Sequence, residues 1–512
     1  MTGAAPPRPA WRVNAAETLL DAQLAEGGDR PAIRYPGGEW TFEALADRTS
    51  TFADELTAGG VVGQGDRVAL ALPDSPVWVV AFLALLRTGA VAALVPGSLS
   101  YEGRMDAVAR AHPSLLVAND AGLWPAGPTL CPVATGAARG RASDVAPTRG
   151  TDPAYLLLTS GSTGPPKWAL HRHRDIPSCL ATYGRHVLQL RPGDVTYSAA
   201  SLATSYGLGN ILYFPLGAGA CAWIDGKRPS PSQAAAACVA GGVTVMFGVP
   251  TFWARLARHV AEGRVLSEAF SEVRLAVSAG ESLSETVFDA VHRHLGFELV
   301  DGLGSSEATN LYLSNRPRRP IRGTVGRVVP GFELRICDPD DRRVGPGEVG
   351  QLLVRGGSIM EGYLADDAAT SRALAGGWLH TGDLVQRRQD GAYRFVGRLG
   401  DRFKSGGFWI DPRHVAGVLG EHPRVAEAAV LGVPDVSGVV RVVAVVATNV
   451  DTEGAAGADL EAFAASRLLP HEVPRVFAIV PELPTTPSGK VRRDEILRLA
   501  AQALTAGQHA VV

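Results

Sequence analysis

The chain has 512 residues, of which 46% are hydrophobic and 20% charged, with a formal net charge of -2. That length exceeds one simple core and predicts two or more domains, while near-neutrality excludes a general attraction for nucleic acid or an anionic membrane. Cys131, Cys179, Cys221, Cys238 and Cys337 lack the paired spacing of a zinc or redox site, so buried free thiols in a reducing cytoplasm are expected.

The first residues, Met1 to Trp11, carry prolines and arginines but no apolar core of signal-peptide type. Apolar residues at helical spacing predict helices over 15–24 and 41–58. A strand is expected over 67–72, a helix over 76–88 ended by Gly89, and a strand over 90–95. The longest apolar stretch, 77–86, is too short to span a bilayer, so a soluble protein is expected. The polar run 137–152 reads as a surface loop, and Ala234 to Ala237 as helix-prone alanine. Strands over 243–249, 273–277 and 298–300 alternate with helices over 252–262 and 285–295, the pattern of sheets covered by helices. From 323 to 398 short strands separated by Gly, Pro and Asp suggest a small antiparallel barrel. Beyond Gly400 an α+β segment is expected, with helices at 412–420 and 459–468 and strands at 426–432 and 441–448.

The stretch Leu158-Thr159-Ser160-Gly161-Ser162-Thr163-Gly164-Pro165-Pro166-Lys167 follows a buried strand end at 155–158. A P-loop needs glycine directly before its lysine and a hydroxyl directly after; Pro166 and Trp168 stand there, and that reading fails. Taken alone the segment is a flexible Ser/Gly turn. Its strand context and its downstream partners favour a phosphate cradle, in which glycine lets backbone N–H groups approach a polyanion.

Those partners are Gly280-Glu281-Ser282, Asp301-Gly302-Leu303-Gly304-Ser305-Ser306-Glu307, Thr381-Gly382-Asp383, Gly397-Arg398, Lys404-Ser405-Gly406-Gly407 and Pro487-Ser488-Gly489-Lys490. The ordered series resembles the adenylate-forming superfamily of acyl-CoA synthetases, peptide-synthetase adenylation domains and firefly-type luciferases. The fold this implies is α/β: a large N-terminal domain, 1–399, of two helix-covered sheets plus a small β-barrel, then a smaller, mobile α+β cap, 400–512.

The resemblance implies that a carboxylate attacks the α-phosphate of ATP, giving an acyl-adenylate and pyrophosphate, and that a thiol then captures the acyl group. Thr159, Ser160, Gly161, Ser162, Thr163 and Gly164 would hold the β- and γ-phosphates, with Lys167 adding a cation. Glu307 would ligate Mg²⁺ and Ser306 would reach the α-phosphate. Gly280, Glu281 and Ser282 would wall the adenine, with Asp301, Gly302 and Leu303 beside it; Asp383 and Arg398 would take the ribose. Lys490 would bridge the substrate carboxylate and α-phosphate. Lys404, Ser405, Gly406 and Gly407 would line the thiol's approach; Gly400 stands where relatives carry an acidic pivot, and glycine can absorb the φ/ψ change of such a swing. His171 and His173 lack an evident third ligand for a metal, and Trp168 has no assigned role.

Within the superfamily the chain is most similar to benzoate-CoA ligases, through Ser205-Tyr206-Gly207-Leu208-Gly209-Asn210, Phe247-Gly248-Val249-Pro250-Thr251 and the Asp301 to Glu307 motif. Ser205, Tyr206, Ala279, Gly304 and Asn310 would line the acid pocket. Ser205 and Asn310 replace alanine and histidine of those relatives, so both would present hydrogen-bonding groups to a hydroxy-, amino- or heteroaromatic acid. The absence of an acid near Ser205 disfavours an α-amino acid, while a non-aromatic or β-amino acid remains an alternative. The acceptor is coenzyme A or the phosphopantetheine arm of a carrier protein. Two other classes stay open: a luciferase-like oxidoreductase, and a binding protein that keeps the fold without catalysis.

Overall fold

A computed structural model describes residues 12–123, 127–130, 145–159, 166–226, 229–399, 403–405, 408–435, 439–448, 457–484, 491–506 and 510–511. Ser160, Gly161, Ser162, Thr163, Gly164, Gly400, Gly406, Gly407 and Lys490 lie outside the described residues, and only the backbone of Lys404 is described.

Several helices begin and end where their caps are written locally. Ser75 Oγ accepts from Trp78 N ahead of Pro76–Thr88, and Gly89 closes that helix at φ 74°. Ser284 caps Glu285–Leu295, which Gly296 ends at φ 72°. Asp411 caps Pro412–Gly420. Each such cap contributes about 1 kcal/mol. The apolar stretch at 77–86 is the central helix of the large domain, with Trp78 to Leu86 buried on all sides. No helix among the described residues is long and apolar enough to cross a membrane.

Two large sheets frame the N-terminal part. In the first, Val91–Leu94, Arg67–Ala71, Leu115–Ala118 and Pro153–Leu158 run parallel, and Trp168–Arg172 returns antiparallel beside Pro153–Leu158. The second has a parallel centre of Val300–Gly304, Leu275–Ala279, Val245–Gly248, Val195–Ser198, Cys221–Trp223 and Pro31–Tyr35. Parallel strands buried on both faces read as continuous apolar runs, which is why their positions were legible.

The region expected as a barrel is antiparallel but open. Phe332–Cys337, Val349–Gly356, Leu379–Arg387 and Tyr393–Arg398 pair in that order, and no pairing joins the first to the last among the described residues. Two of its short strands serve the large sheets instead: Arg327–Val328 pairs with Leu311–Ser314, and Gly362–Tyr363 with Trp168–Arg172. After residue 402, Val425–Pro434, Val440–Thr448, Val476–Val480 and Ala510–Val511 form a separate sheet. Its apolar clusters, drawn from residues 403–504, are distinct from those of residues 15–395.

Candidate active site

The stretch 159–167 is the connection of a β-hairpin, since Leu158 pairs with Trp168. Thr159 N donates to Lys167 O at 2.8 Å and Lys167 N to Thr159 Oγ1 at 3.2 Å, which closes the neck. Trp168 anchors the far side of that neck. Its buried indole donates to Ala107 O at 3.2 Å, and Arg110 of the same helix, Tyr101–Ala111, donates to Pro166 O. The exit of the connection is thereby tied to a rigid element.

Strand Val300–Gly304 carries the next motif to the same end of the fold. A Cβ on Gly304 would come within 2.4 Å of Asn310 O, and one on Gly302 within 2.8 Å of Leu313 O, so only glycine lets this strand pair so tightly with Leu311–Ser314. The chain then turns through Ser306–Ala308. His171 pins that turn: Nε2 donates to Ser306 O at 2.8 Å, while Nδ1 lies 2.9 Å from Thr309 Oγ1 and 3.1 Å from Asp175 Oδ2. His173 Nδ1 accepts from Ala15 N, and burial holds its pKa down at about 4, so it is a neutral structural group. Among the described residues no cluster of three or more metal-ligating side chains occurs.

Glu307, Lys167 and a residue that no motif singled out converge here. Tyr363 donates its hydroxyl to Glu307 Oε1 at 2.8 Å, and the Lys167 ammonium lies 5.2 Å from the centre of its ring. Its place is set by Gly362, where a Cβ would crowd Thr370 at 2.7 Å, and by Thr370 Oγ1, which accepts from Tyr363 N. Ser205 Oγ lies 3.4 Å from Ser306 Oγ. Ser205 opens a short helix capped by Thr204, and Asp74 holds the preceding turn by accepting from Ser201 Oγ at 2.9 Å and Leu202 N at 3.2 Å. Burial pushes the Asp74 carboxyl up to about 6. Tyr206 packs edge-on against Phe247, its hydroxyl donating to Val277 O, and Ala279 is buried at the end of its strand.

Asn310 already has a partner for each polar atom of its amide. It is 4% exposed, with Nδ2 donating to Tyr213 Oη at 2.9 Å and Oδ1 accepting from Leu311 N at 2.8 Å. Tyr213, distant in sequence, and the neighbouring Leu311 N–H each take one of its two polar atoms.

The nucleotide candidates form a second group. Glu281 Oε2 accepts from Thr251 N at 3.2 Å and Thr251 Oγ1 at 2.7 Å, capping helix Pro250–Ala261, whose own Val249 supplies no side-chain cap. Gly280 makes the turn at φ 91°, and Ser282 is exposed. Asp301 is buried, which pushes its carboxyl well above the usual range against the pull of Ser278 and of the Gly302 backbone; its carbonyl accepts from Asn315 N at 2.8 Å. Leu303 is half-buried against the main core. Asp383 is 0% exposed: Oδ1 accepts from Arg398 Nε at 2.8 Å, Oδ2 from Tyr312 Oη at 3.1 Å, and its own N–H donates to Thr381 Oγ1. Beyond Arg398, Leu399 N still donates to Gly382 O at 2.7 Å. Ser405 Oγ donates to Val440 O within the C-terminal part.

Against this geometry, the profile described as AMP-binding enzyme matches residues 20–364, and that described as AMP-binding enzyme C-terminal domain matches residues 414–490. The chain belongs to the AMP-binding enzyme family. Its relatives include the p-hydroxybenzoic acid–AMP ligase FadD22 of Mycobacterium tuberculosis, 36% identical over 93% of this chain and 67% of that protein. The anthranilate–CoA ligase of Pseudomonas aeruginosa is 33% identical over 92% of this chain and 94% of its own length. Among solved structures, a benzoate CoA ligase from Burkholderia xenovorans superposes with a TM-score of 0.85 at 30% identity, covering 94% of this chain and 99% of that one.

One carboxylate of this AMP-binding enzyme offers a pH handle. Glu427, on strand Val425–Pro434, is pushed up to about 7 by burial and by the like charge of Glu281. A carboxyl raised in the folded state stabilises most while protonated: the contribution is complete below about pH 4.5 and is lost as pH rises through about 7. Glu427→Gln is therefore expected to match the parent near pH 5 and to exceed it at pH 8, by up to about 3 kcal/mol. Calorimetric Tm measured from pH 5 to 8 checks this; equal slopes for the two proteins would remove it.

Proposed function

We propose that this chain activates an aromatic carboxylic acid with ATP and passes the acyl group to a thiol, the acid–thiol ligase chemistry of its relatives. One observation carries the reading: Ser205, Ser306, Glu307, Tyr363 and Lys167 converge at the mouth of the 159–167 connection. A carboxylate approaching a triphosphate needs cations and donors placed where the two anions meet. An oxygen of the acid attacks the α-phosphorus as the bond to pyrophosphate breaks; the thiol sulfur then displaces AMP from the acyl carbon.

Lys167 and the hydroxyls of 159–163 hold the outer phosphates in this scheme, Ser306 the α-phosphate and Lys490 the carboxylate. Asp383 with Arg398 takes the ribose, and Gly280 to Ser282 with Asp301 to Leu303 the adenine. Glu307 suits Mg²⁺: Tyr363 orients one oxygen, and the other has no partner among the described residues. Magnesium characteristically uses one or two carboxylates plus substrate phosphates, so it would supply charge neutralisation there. Tyr206, Ala279 and Gly304 wall the acid. The chain divides at 399/400, the smaller part turning to bring Lys404, Ser405, Gly406 and Gly407 to the thiol, with coenzyme A favoured over a carrier protein's phosphopantetheine. A cytoplasmic setting fits free thiols and this thiol chemistry.

ATP–pyrophosphate exchange with a panel of aryl, aliphatic and amino acids tests the reading, followed by thioester formation with coenzyme A and with a loaded carrier protein. Exchange with aryl acids is expected; exchange restricted to non-aryl acids would overturn the aryl assignment.

A further inference from the structure

Two serines lie together at one end of the proposed acid site. Ser205 Oγ and Ser306 Oγ are 3.4 Å apart, both residues are partly buried, and Ser306 adjoins Glu307 at the proposed phosphate end. The other neutral candidate, Asn310, is buried with its amide engaged by Tyr213 and Leu311. Tyr206 turns its hydroxyl away to Val277 O. Of the polar groups expected to face the acid, only the Ser205 hydroxyl is turned toward Ser306, and its partner at 3.4 Å is at the long limit of a hydrogen bond between hydroxyls.

In an acyl-adenylate the carbonyl carbon joins the α-phosphorus through a single oxygen. Ring atoms flanking that carbon therefore lie nearest the residue that holds the α-phosphate, and a para substituent lies across the ring from it. The geometry points to Ser205 as the residue that reads a hydrogen-bonding group ortho to the carboxylate, making 2-hydroxy- and 2-aminoarenecarboxylates the preferred substrate class. The assignment rests on the aryl-acid reading above, with Ser306 at the α-phosphate. A serine hydroxyl both donates and accepts, so it satisfies a phenol or an aniline equally, and a bare ring leaves it facing carbon.

Exchange kinetics with benzoate, 2-hydroxybenzoate, 2-aminobenzoate and 4-hydroxybenzoate test the assignment, using the parent chain, Ser205→Ala and Ser205→Thr. The parent is expected to favour each ortho acid over 4-hydroxybenzoate in kcat/KM by about tenfold or more, the worth of one well-made hydrogen bond. Ser205→Ala is expected to lower the ratio of 2-hydroxybenzoate to benzoate by about tenfold, and Ser205→Thr, which keeps the hydroxyl, to restore most of it. A parent preference for the para acid, or an alanine variant that slows all four acids equally, would overturn the ortho assignment while leaving the aryl reading intact. Exchange with none of the four but with another aryl acid would overturn the ortho assignment alone, and exchange with no aryl acid would overturn both.

Discussion

Replacing Asp383 with alanine is expected to cost about 3 kcal/mol or more of stability, because it strands two groups built around that carboxylate. Arg398 Nε and Tyr312 Oη donate to its two oxygens, and the carboxylate is wholly buried while the arginine is 33% exposed. Solvent at the guanidinium places the loss at the low end for a broken buried pair. Asp383→Asn should behave differently. Its amide keeps the shape, accepts from Arg398 through oxygen and can donate to the Tyr312 oxygen, so the chain should fold with a far smaller loss. Both variants should raise the KM for ATP, since a full carboxylate is no longer offered to the ribose. Thermal melts and exchange kinetics on the pair separate the effects. An alanine variant that melts with the parent would show that the buried pair contributes little.

Lys490→Ala carries the second large effect, expected at roughly 3 kcal/mol, or more than a hundredfold, in adenylate formation. The proposed role predicts a split: the variant should still convert chemically made acyl-adenylate and thiol to thioester at near the parent rate, because the lysine bridges charge only while the acid meets ATP. Single-turnover assays of the two half-reactions read this directly. Full adenylate formation by the variant would remove Lys490 from the mechanism.

What the sequence disclosed depended on whether the deciding contact was local. Helices Pro76–Thr88 and Glu285–Leu295 carry their start and stop residues within a few positions, and Pro412–Gly420 carries its start. Helix Pro231–Gly241 carries the same signals, Ser230 and Gly242 at φ 65°, and reading its alanines as mere propensity overlooked them. By contrast, Pro250–Ala261 takes its cap from Glu281, thirty positions away, and no local pattern announces that. The site divides the same way. Glu307, Ser306 and Lys167 stood out by motif, whereas Tyr363, His171 and Asp74 act through partners distant in the chain. The Tyr213 partner of Asn310 was not legible for the same reason, since the two lie far apart in sequence.

The rung between Asp383 and Arg398, continued by Leu399 N to Gly382 O, has a mechanical meaning. It leaves no slack in the chain just before the glycine where the cap is expected to turn. Points beside an axis travel least when a body rotates about it. A sugar gripped at Asp383 would thus sit beside the axis while the smaller part turns past it, and one nucleotide would serve as the stationary reference for both half-reactions.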